Sequence, residues 1–292
     1  MRKIIVWLFL VCLVLPLAAE ERKHIFEVGY ETSDYTYREP DLMSLKAKKH
    51  GVSVVYTRNS ALSSDVNDDD PTFASLEYRY MKGRADYNGG FRVYDPMTDT
   101  ITDYPYSEKQ KDYYMEAALK FGRYYKLVDS LKLWPYIGIA WRSLRNSEDK
   151  VVEFAPSMFG WTYQRTSTYV YMPIGGRLTM DMGSHIRLTL GGEIDWLIRG
   201  NQNSHIRGGN FDSLSNRQEK GYGVRVNAKL ETEIWKLGAF IEPFWRYWKI
   251  QNSKPVTVYE VDGSGNPTGN TMDFWEPKNY TREYGIRVGI TF

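Results

Sequence analysis

The run from Ile186 to Arg199 constrains this chain more than any other segment. Ile186, Leu188, Leu190, Gly192, Ile194, Trp196 and Ile198 alternate with Arg187, Thr189, Gly191, Glu193, Asp195, Leu197 and Arg199, and no charge falls in the first row. Successive side chains of a strand point to opposite faces, so one face of this segment is apolar and the other polar. Average strands are shorter, about five or six residues. A basic side chain facing lipid at mid-bilayer costs about 2 to 4 kcal/mol. Length and pattern together meet the demands on a strand that separates hydrocarbon from a polar cavity.

The same split recurs over 24–34, 48–58, 72–84, 111–126, 131–145, 167–182, 219–231, 235–249 and 281–292, which brings the count to about ten. A closed antiparallel barrel of the bacterial membrane type requires an even number. Pro135, Pro173 and Pro243 fall within these runs, where bulges or strand ends are expected. In the last segment Tyr284, Ile286, Val288, Ile290 and Phe292 share one face and Phe292 ends the chain. This resembles the terminal strand of bacterial outer-membrane β-barrel proteins. The resemblance implies that the barrel assembly machinery recognises the segment. The expected fold is all-β: an antiparallel up-and-down transmembrane barrel of about ten strands.

At the other end Arg2 and Lys3 precede an apolar run from Ile4 to Leu15, followed by Pro16-Leu17-Ala18-Ala19. This reads as a secretory signal peptide over 1–19, cleaved after Ala19, with 20–292 as the barrel domain. The run is too short to cross a bilayer as a helix. The only cysteine, Cys12, lies in this leader, so the exported chain has no disulfide and no thiolate ligand or nucleophile. Beyond it no window is apolar enough for a membrane helix and mean hydropathy is negative, as when only alternate residues meet lipid. Lys and Arg total 38 against 36 Asp and Glu, which gives no charge excess for nucleic acid.

Short periplasmic turns and long extracellular loops set an orientation. The outer loops are expected at about 35–47, 84–110, 146–166, 200–218 and 250–280, with inner turns near 127–130, 183–185 and 232–234. One inner segment, 59–71 with Asn67-Asp68-Asp69-Asp70-Pro71, is long for a turn. Phe91–Tyr94 with Ile101–Tyr104, and Val256–Tyr259 with Met272–Trp275, read as hairpins rising above the membrane; entering it, they would make twelve or fourteen strands. Tyr113, Tyr114, Tyr124, Tyr125, Trp134, Trp196, Trp235, Trp245, Tyr247 and Trp248 gather near strand ends, as aromatic girdles do.

Facing the uncharged rows outward turns Glu27, Glu31, Glu77, Glu116, Glu193, Asp195, Glu242 and Glu283 inward, with Arg79, Lys120, Arg142, Arg177, Arg187, Arg199, Arg225, Lys229, Arg246 and Arg287. The signs nearly match, and a lumen of about ten strands is narrow. Long charged side chains in so small a space should pair, giving a salt-bridged plug. A narrow small-solute conduit is the alternative, although a selective pore lines its wall with one sign. Lys46, Lys48 and Lys49 near the first outer loop are candidates for lipopolysaccharide phosphates.

Strand count, tall outer extensions and the terminal Phe give a layout similar to the omptin proteases, whose loops carry an aspartate pair facing an Asp-x-His pair. The corresponding fourth loop reads Asn201-Gln202-Asn203-Ser204-His205, with Asn203 where the acid belongs. A general base at His205 would lack its orienting carboxylate. The second loop offers Asp86, Asp95, Asp99 and Asp103, scattered rather than paired. His24, His50 and His185 have no metal-ligand spacing. Ser63, Ser64, Ser213 and Ser215 lack a nucleophile elbow, and Asp65-x-Asn67-x-Asp69 lacks the later Gly and Glu of a calcium loop. No cofactor is implied. The expectation is an outer-membrane barrel with a surface-binding or structural role and no catalysis; omptin-like proteolysis is the enzymatic rival, and a soluble secreted sandwich the other fold.

Overall fold

The computed structural model describes residues 23–60, 71–95, 97–146, 150–183, 185–205, 214–234, 237–261 and 266–292. The expected signal peptide, Trp235, Ser63, Ser64, Ser213 and the Asp65–Asp69 segment lie outside them. In chain order the strands are β1 (His24–Glu39), β2 (Met43–Asn59), β3 (Thr72–Asp95), β4 (Thr100–Arg123), β5 (Tyr125–Val128), β6 (Leu131–Asn146), β7 (Lys150–Ala155), β8 (Met158–Thr162), β9 (Gln164–Asp181), β10 (Ile186–His205), β11 (Leu214–Gln218), β12 (Gly221–Ile234), β13 (Leu237–Ile250), β14 (Val256–Val261), β15 (Pro267–Phe274) and β16 (Asn279–Thr291).

Ten of them close a barrel in the order β1-β2-β3-β4-β6-β9-β10-β12-β13-β16. All neighbours are antiparallel, and β16 returns to β1 from Glu27↔Thr291 to Arg38↔Tyr280, so the wall has no free edge. Closure removes the open sheet edge, whose unpaired backbone groups hydrocarbon could not satisfy. The outer wall is apolar: Tyr30, Val52, Leu76, Phe121, Ile137, Ile174, Ile194, Ile241 and Val288 stand on it, each 44–57% exposed. So wide an exposed apolar surface marks a membrane-facing wall rather than one bathed in water.

The hairpins at 84–110 and 250–280 stand outside the wall, so the strand number stays at ten. β3 and β4 are 24 residues each and run continuously up into their hairpin. Three expectations about loops change. The first outer loop is a tight turn, closed by Leu42 N–H donating to Glu39 C=O at 3.2 Å with Asp41 at φ 63. The third contains an unanticipated hairpin, β7–β8. In the fourth, β11 pairs with the top of β10.

The prolines cause no register shift. Pairing is missing only on the β6 side of Pro173 and the β12 side of Pro243, and there the ladders resume in the same register beyond the gap. Pro135 faces the break between β4 and β5, where the absent N–H costs no bond. The wall's bulge lies instead in β10, where Leu197 opposes Tyr171 but Arg199 opposes Val170. The extra residue reverses the facing: Glu193, Asp195 and Leu197 point inward below it, and Gly200, Gln202 and Ser204 above it. Arg199, expected in the lumen, therefore stands exposed on the outer wall.

Three rings expected in the girdle also face the interior. Tyr114 is 0% and Trp248 3% exposed, and Trp134 packs edge-on against Phe73 at 5.4 Å. Trp196 and Tyr125, at 63% and 51%, do stand on the outer wall.

Candidate functional site: the lumen and its mouth

The inner wall is filled from bottom to top by side chains that meet across the barrel. Near the end that carries the chain termini, Lys229 of β12 reaches Glu27 of β1 at 2.6 Å, and Arg287 of β16 bonds Glu27 at 2.7 Å and Glu242 at 2.5 Å. Above them Lys120 bridges Glu77 at 2.8 Å and Glu193 at 2.7 Å, while Arg177 adds a bond to Glu77 at 3.1 Å. The third layer centres on Arg225, which bonds Asp195 at 2.7 Å, Glu193 at 3.2 Å, the Tyr171 hydroxyl at 2.5 Å and Glu116 on the far wall. Arg142 lies 3.9 Å from Glu116. Arg79 holds Glu283 at 3.0 Å together with Glu31, and the Tyr114 hydroxyl donates to Glu283 at 2.7 Å. Arg246 stands 3.9 Å from Glu283. Each buried charge thus meets an opposite one, the arrangement in which desolvation is offset.

Arg187 does not join this network; it pairs with Asp181 at 2.7 Å on the rim that carries the chain termini, with half its side chain exposed. The terminal strand turns Tyr284, Ile286, Val288 and Ile290 outward, and Phe292 closes the ladder by exchanging backbone bonds with Phe26 at 2.8 and 3.2 Å.

Over the ionic layers sits an apolar one that alternation did not reveal. Tyr35, Leu45, Met81, Tyr114, Tyr171, Leu197, Trp248 and Ile250 form a continuous cluster, each at most 3% exposed. Around Tyr114, Tyr171 and Leu197 the flanking residues are apolar too, so period alone cannot say which row carries the core, whereas Tyr35, Leu45 and Met81 sit beside the outward-facing Asp34, Lys46 and Lys82, where the apolar row has become the inner one. Within the cluster, Lys49 Nζ bonds Asp112 at 2.9 Å and lies 3.5 Å from the Tyr35 ring centroid. Lys49, expected at the lipid surface with Lys46 and Lys48, is therefore interior. The signal was present: Lys49 shares its parity with Gly51 and Ser53. At the mouth, Arg165 of β9 spans to Glu39 of β1, diametrically opposite in the ring, at 2.6 Å and also bonds Glu276.

The outer wall just above the apolar belt carries a second grouping. Asp34, Lys48, Arg84 and Lys111 stand directly opposite one another across β1 to β4, with Thr36, Lys46, Asp86 and Lys109 in the next row up. One row down are His50, Lys82, Tyr113 and Arg145, and below these Tyr30, Val52, Tyr80 and Met115 begin the belt. The basic side chains of these rows are exposed.

His205 and Asn203 occupy the exposed face of β10, while Gln202 and Ser204 face the mouth, a result of the bulge below them. Asp86 is also on the outer wall, 3.9 Å from Lys109. Among the described residues no group of three or more acids, histidines and cysteines could hold a metal ion.

A closed ten-stranded antiparallel barrel with an apolar outer wall and a polar interior defines an outer-membrane β-barrel fold. The outer membrane protease OmpT from Escherichia coli shares it: TM-score 0.65 at 9% identity, over 93% of this chain and 96% of that one. The translocator domain of the autotransporter NalP from Neisseria meningitidis matches at TM-score 0.40 and 10% identity, over 93% of this chain and 89% of that one. The β domain of the Bordetella autotransporter BrkA matches at 0.38 and 11%, over 90% and 98%. No protein-family model and no curated protein matches the sequence. At 9% identity the likeness to OmpT is one of fold, not of activity.

Proposed function

We propose that this chain is an integral outer-membrane protein with a sealed lumen, a rigid scaffold that presents an extracellular binding surface and catalyses no reaction. The observation that carries this reading is the filled interior: paired Arg, Lys and Glu layers topped by a tyrosine-rich apolar layer leave the cross-section to side chains. Balanced charge suits a plug better than a selective pore. Purified protein in planar bilayers is expected to give no discrete conductance; stepwise currents would replace this reading with the small-solute conduit. An omptin-like hydrolase is disfavoured by His205 standing on the outer face. Cleavage of basic peptides in the presence of lipopolysaccharide, abolished by His205→Ala, would overturn the non-catalytic reading.

The lipid partner in this reading is lipopolysaccharide. Like charges directly opposite on neighbouring strands repel, and Lys48 faces Arg84, which faces Lys111. Anionic phosphates of the outer leaflet, held just above the belt, would turn that repulsion into charge-assisted bonds. Lys48→Gln with Arg84→Gln is expected to lower lipopolysaccharide retention in a salt-dependent assay, with dephosphorylated lipid showing no difference. The assembly machinery is the proposed partner for the strand ending at Phe292, tested by truncating that residue and following membrane insertion.

A further inference from the structure

We propose that Glu276 is a proton-operated clasp that pins the root of the β14–β15 hairpin over the extracellular mouth, holding when protonated and loosening as it ionises. Glu276 lies between β15 and β16, on the segment that returns from the hairpin to the barrel, and is 6% exposed. Its backbone ties that segment to the outgoing arm: Glu276 N–H donates to Ser253 Oγ at 2.7 Å, and Ser253 N–H to Glu276 C=O at 2.9 Å. Asn216 Nδ2 reaches Phe274 C=O at 3.2 Å from β11. The two arms of the hairpin are therefore tied to each other, and the Glu276 carboxyl group turns inward to Arg165.

That group meets an incomplete charge balance. Arg165, its side chain 11% exposed, is shared by two carboxylates, Glu39 at 2.6 Å and Glu276. The other titratable groups facing this cluster are neutral phenols: Tyr37 of β1, whose hydroxyl donates to Glu39 at 2.7 Å, Tyr87 of β3, Tyr163 before β9 and Tyr169 of β9. Lys254 on the outgoing arm turns away to Glu219 at 3.0 Å. One guanidinium cannot neutralise two buried carboxylates, so the cluster closes with a proton on one of them.

Burial, reinforced by the Glu39 carboxylate and opposed by Arg165, pushes the Glu276 carboxyl up to about 7 from its ordinary 4.5. A raised acid stabilises the closed arrangement fully below the ordinary value, and that contribution is lost as pH rises through the raised one. The closed-to-open ratio is then expected to fall on the order of a hundredfold from about pH 5 to about pH 8.

Nitroxide labels at Thr271→Cys in β15 and Ser107→Cys in β4, in a chain carrying Cys12→Ser, report the hairpin's position by distance measurement in frozen samples. A single narrow distance at the acid pH and a broadened, longer population at the alkaline pH are expected. Glu276→Gln, a permanently neutral clasp, should stay narrow at both. Glu39→Gln, which leaves Arg165 to Glu276 alone, should do the same and guards against a folding defect in the first variant. A distribution that does not change between the two pH values overturns the proposal, and so does a change that persists in Glu276→Gln.

Discussion

Lys49 and Asp112 form an ion pair at 2.9 Å sealed inside the barrel, their side chains 0% and 3% exposed. They lie on β2 and β4 with β3 between them, so the bond ties alternate strands of the wall together beneath the Tyr35 ring. A pair so enclosed contributes less through its own attraction than through the cost of leaving either member alone.

Lys49→Met or Asp112→Leu singly is therefore expected to cost about 3 to 5 kcal/mol, because each strands a buried charge. The double substitution should recover most of that loss. Denaturant unfolding of the refolded protein in lipid vesicles measures all three, and a double variant no better than the singles would contradict the account.

Arg225 and Arg199 offer a second contrast, one basic residue inside the wall and one outside it. Arg225→Ala removes the partner of Asp195, Glu193 and Glu116 at once and should cost at least about 3 kcal/mol. Arg199→Ala should change stability by less than about 0.5 kcal/mol. Equal losses would mean that the bulge does not turn Arg199 outward.

Ile194 and Trp275 are 57% and 56% exposed, but in this reading to different media. Ile194→Lys puts an ammonium against hydrocarbon and should cost about 2 to 4 kcal/mol in a bilayer. Trp275→Lys, above the membrane, should be nearly neutral. The difference is read as folded fraction after insertion into vesicles, and a neutral Ile194→Lys would remove the lipid from this wall.

Gly51 faces the lumen where neighbouring backbone comes very close: a Cβ there would lie 1.8 Å from Tyr80 C=O and 2.5 Å from Met81 Sδ. Gly192 on β10 has nothing within 4 Å of the same point. Gly51→Ala should cost at least about 1 to 3 kcal/mol through overpacking against backbone, and Gly192→Ala should be tolerated. Both are scored by the heat-dependent gel mobility of the folded barrel.

Much of the wall was legible in the chain because strand facing is a local property with a period of two. Glu77, Arg79, Glu116, Lys120, Glu193 and Arg225 stand on the inner wall for the same reason that Leu76, Leu119 and Ile194 stand on the outer one. Facing failed where the period broke, at Arg199, past an inserted residue that nothing at Leu197-Ile198 announces. Tyr114 and Trp248 were missed because a tyrosine or tryptophan suits a girdle and a core equally well by composition. Arg165, Glu39 and Glu276 lay in stretches read as loop, where no period assigns a face.

By itself the sequence determined that long segments separate two media and that acids and bases on the polar face nearly cancel, since both follow from residue type and the alternation of strand side chains. Only the tertiary structure decided which charge meets which. Ser33 donates to Glu283 at 2.7 Å across 250 residues of chain, and Arg165 reaches Glu39 from the opposite wall. Such partners are set by barrel closure, by ladder register and by one bulge, none of which is encoded in the spacing of residues along a single strand.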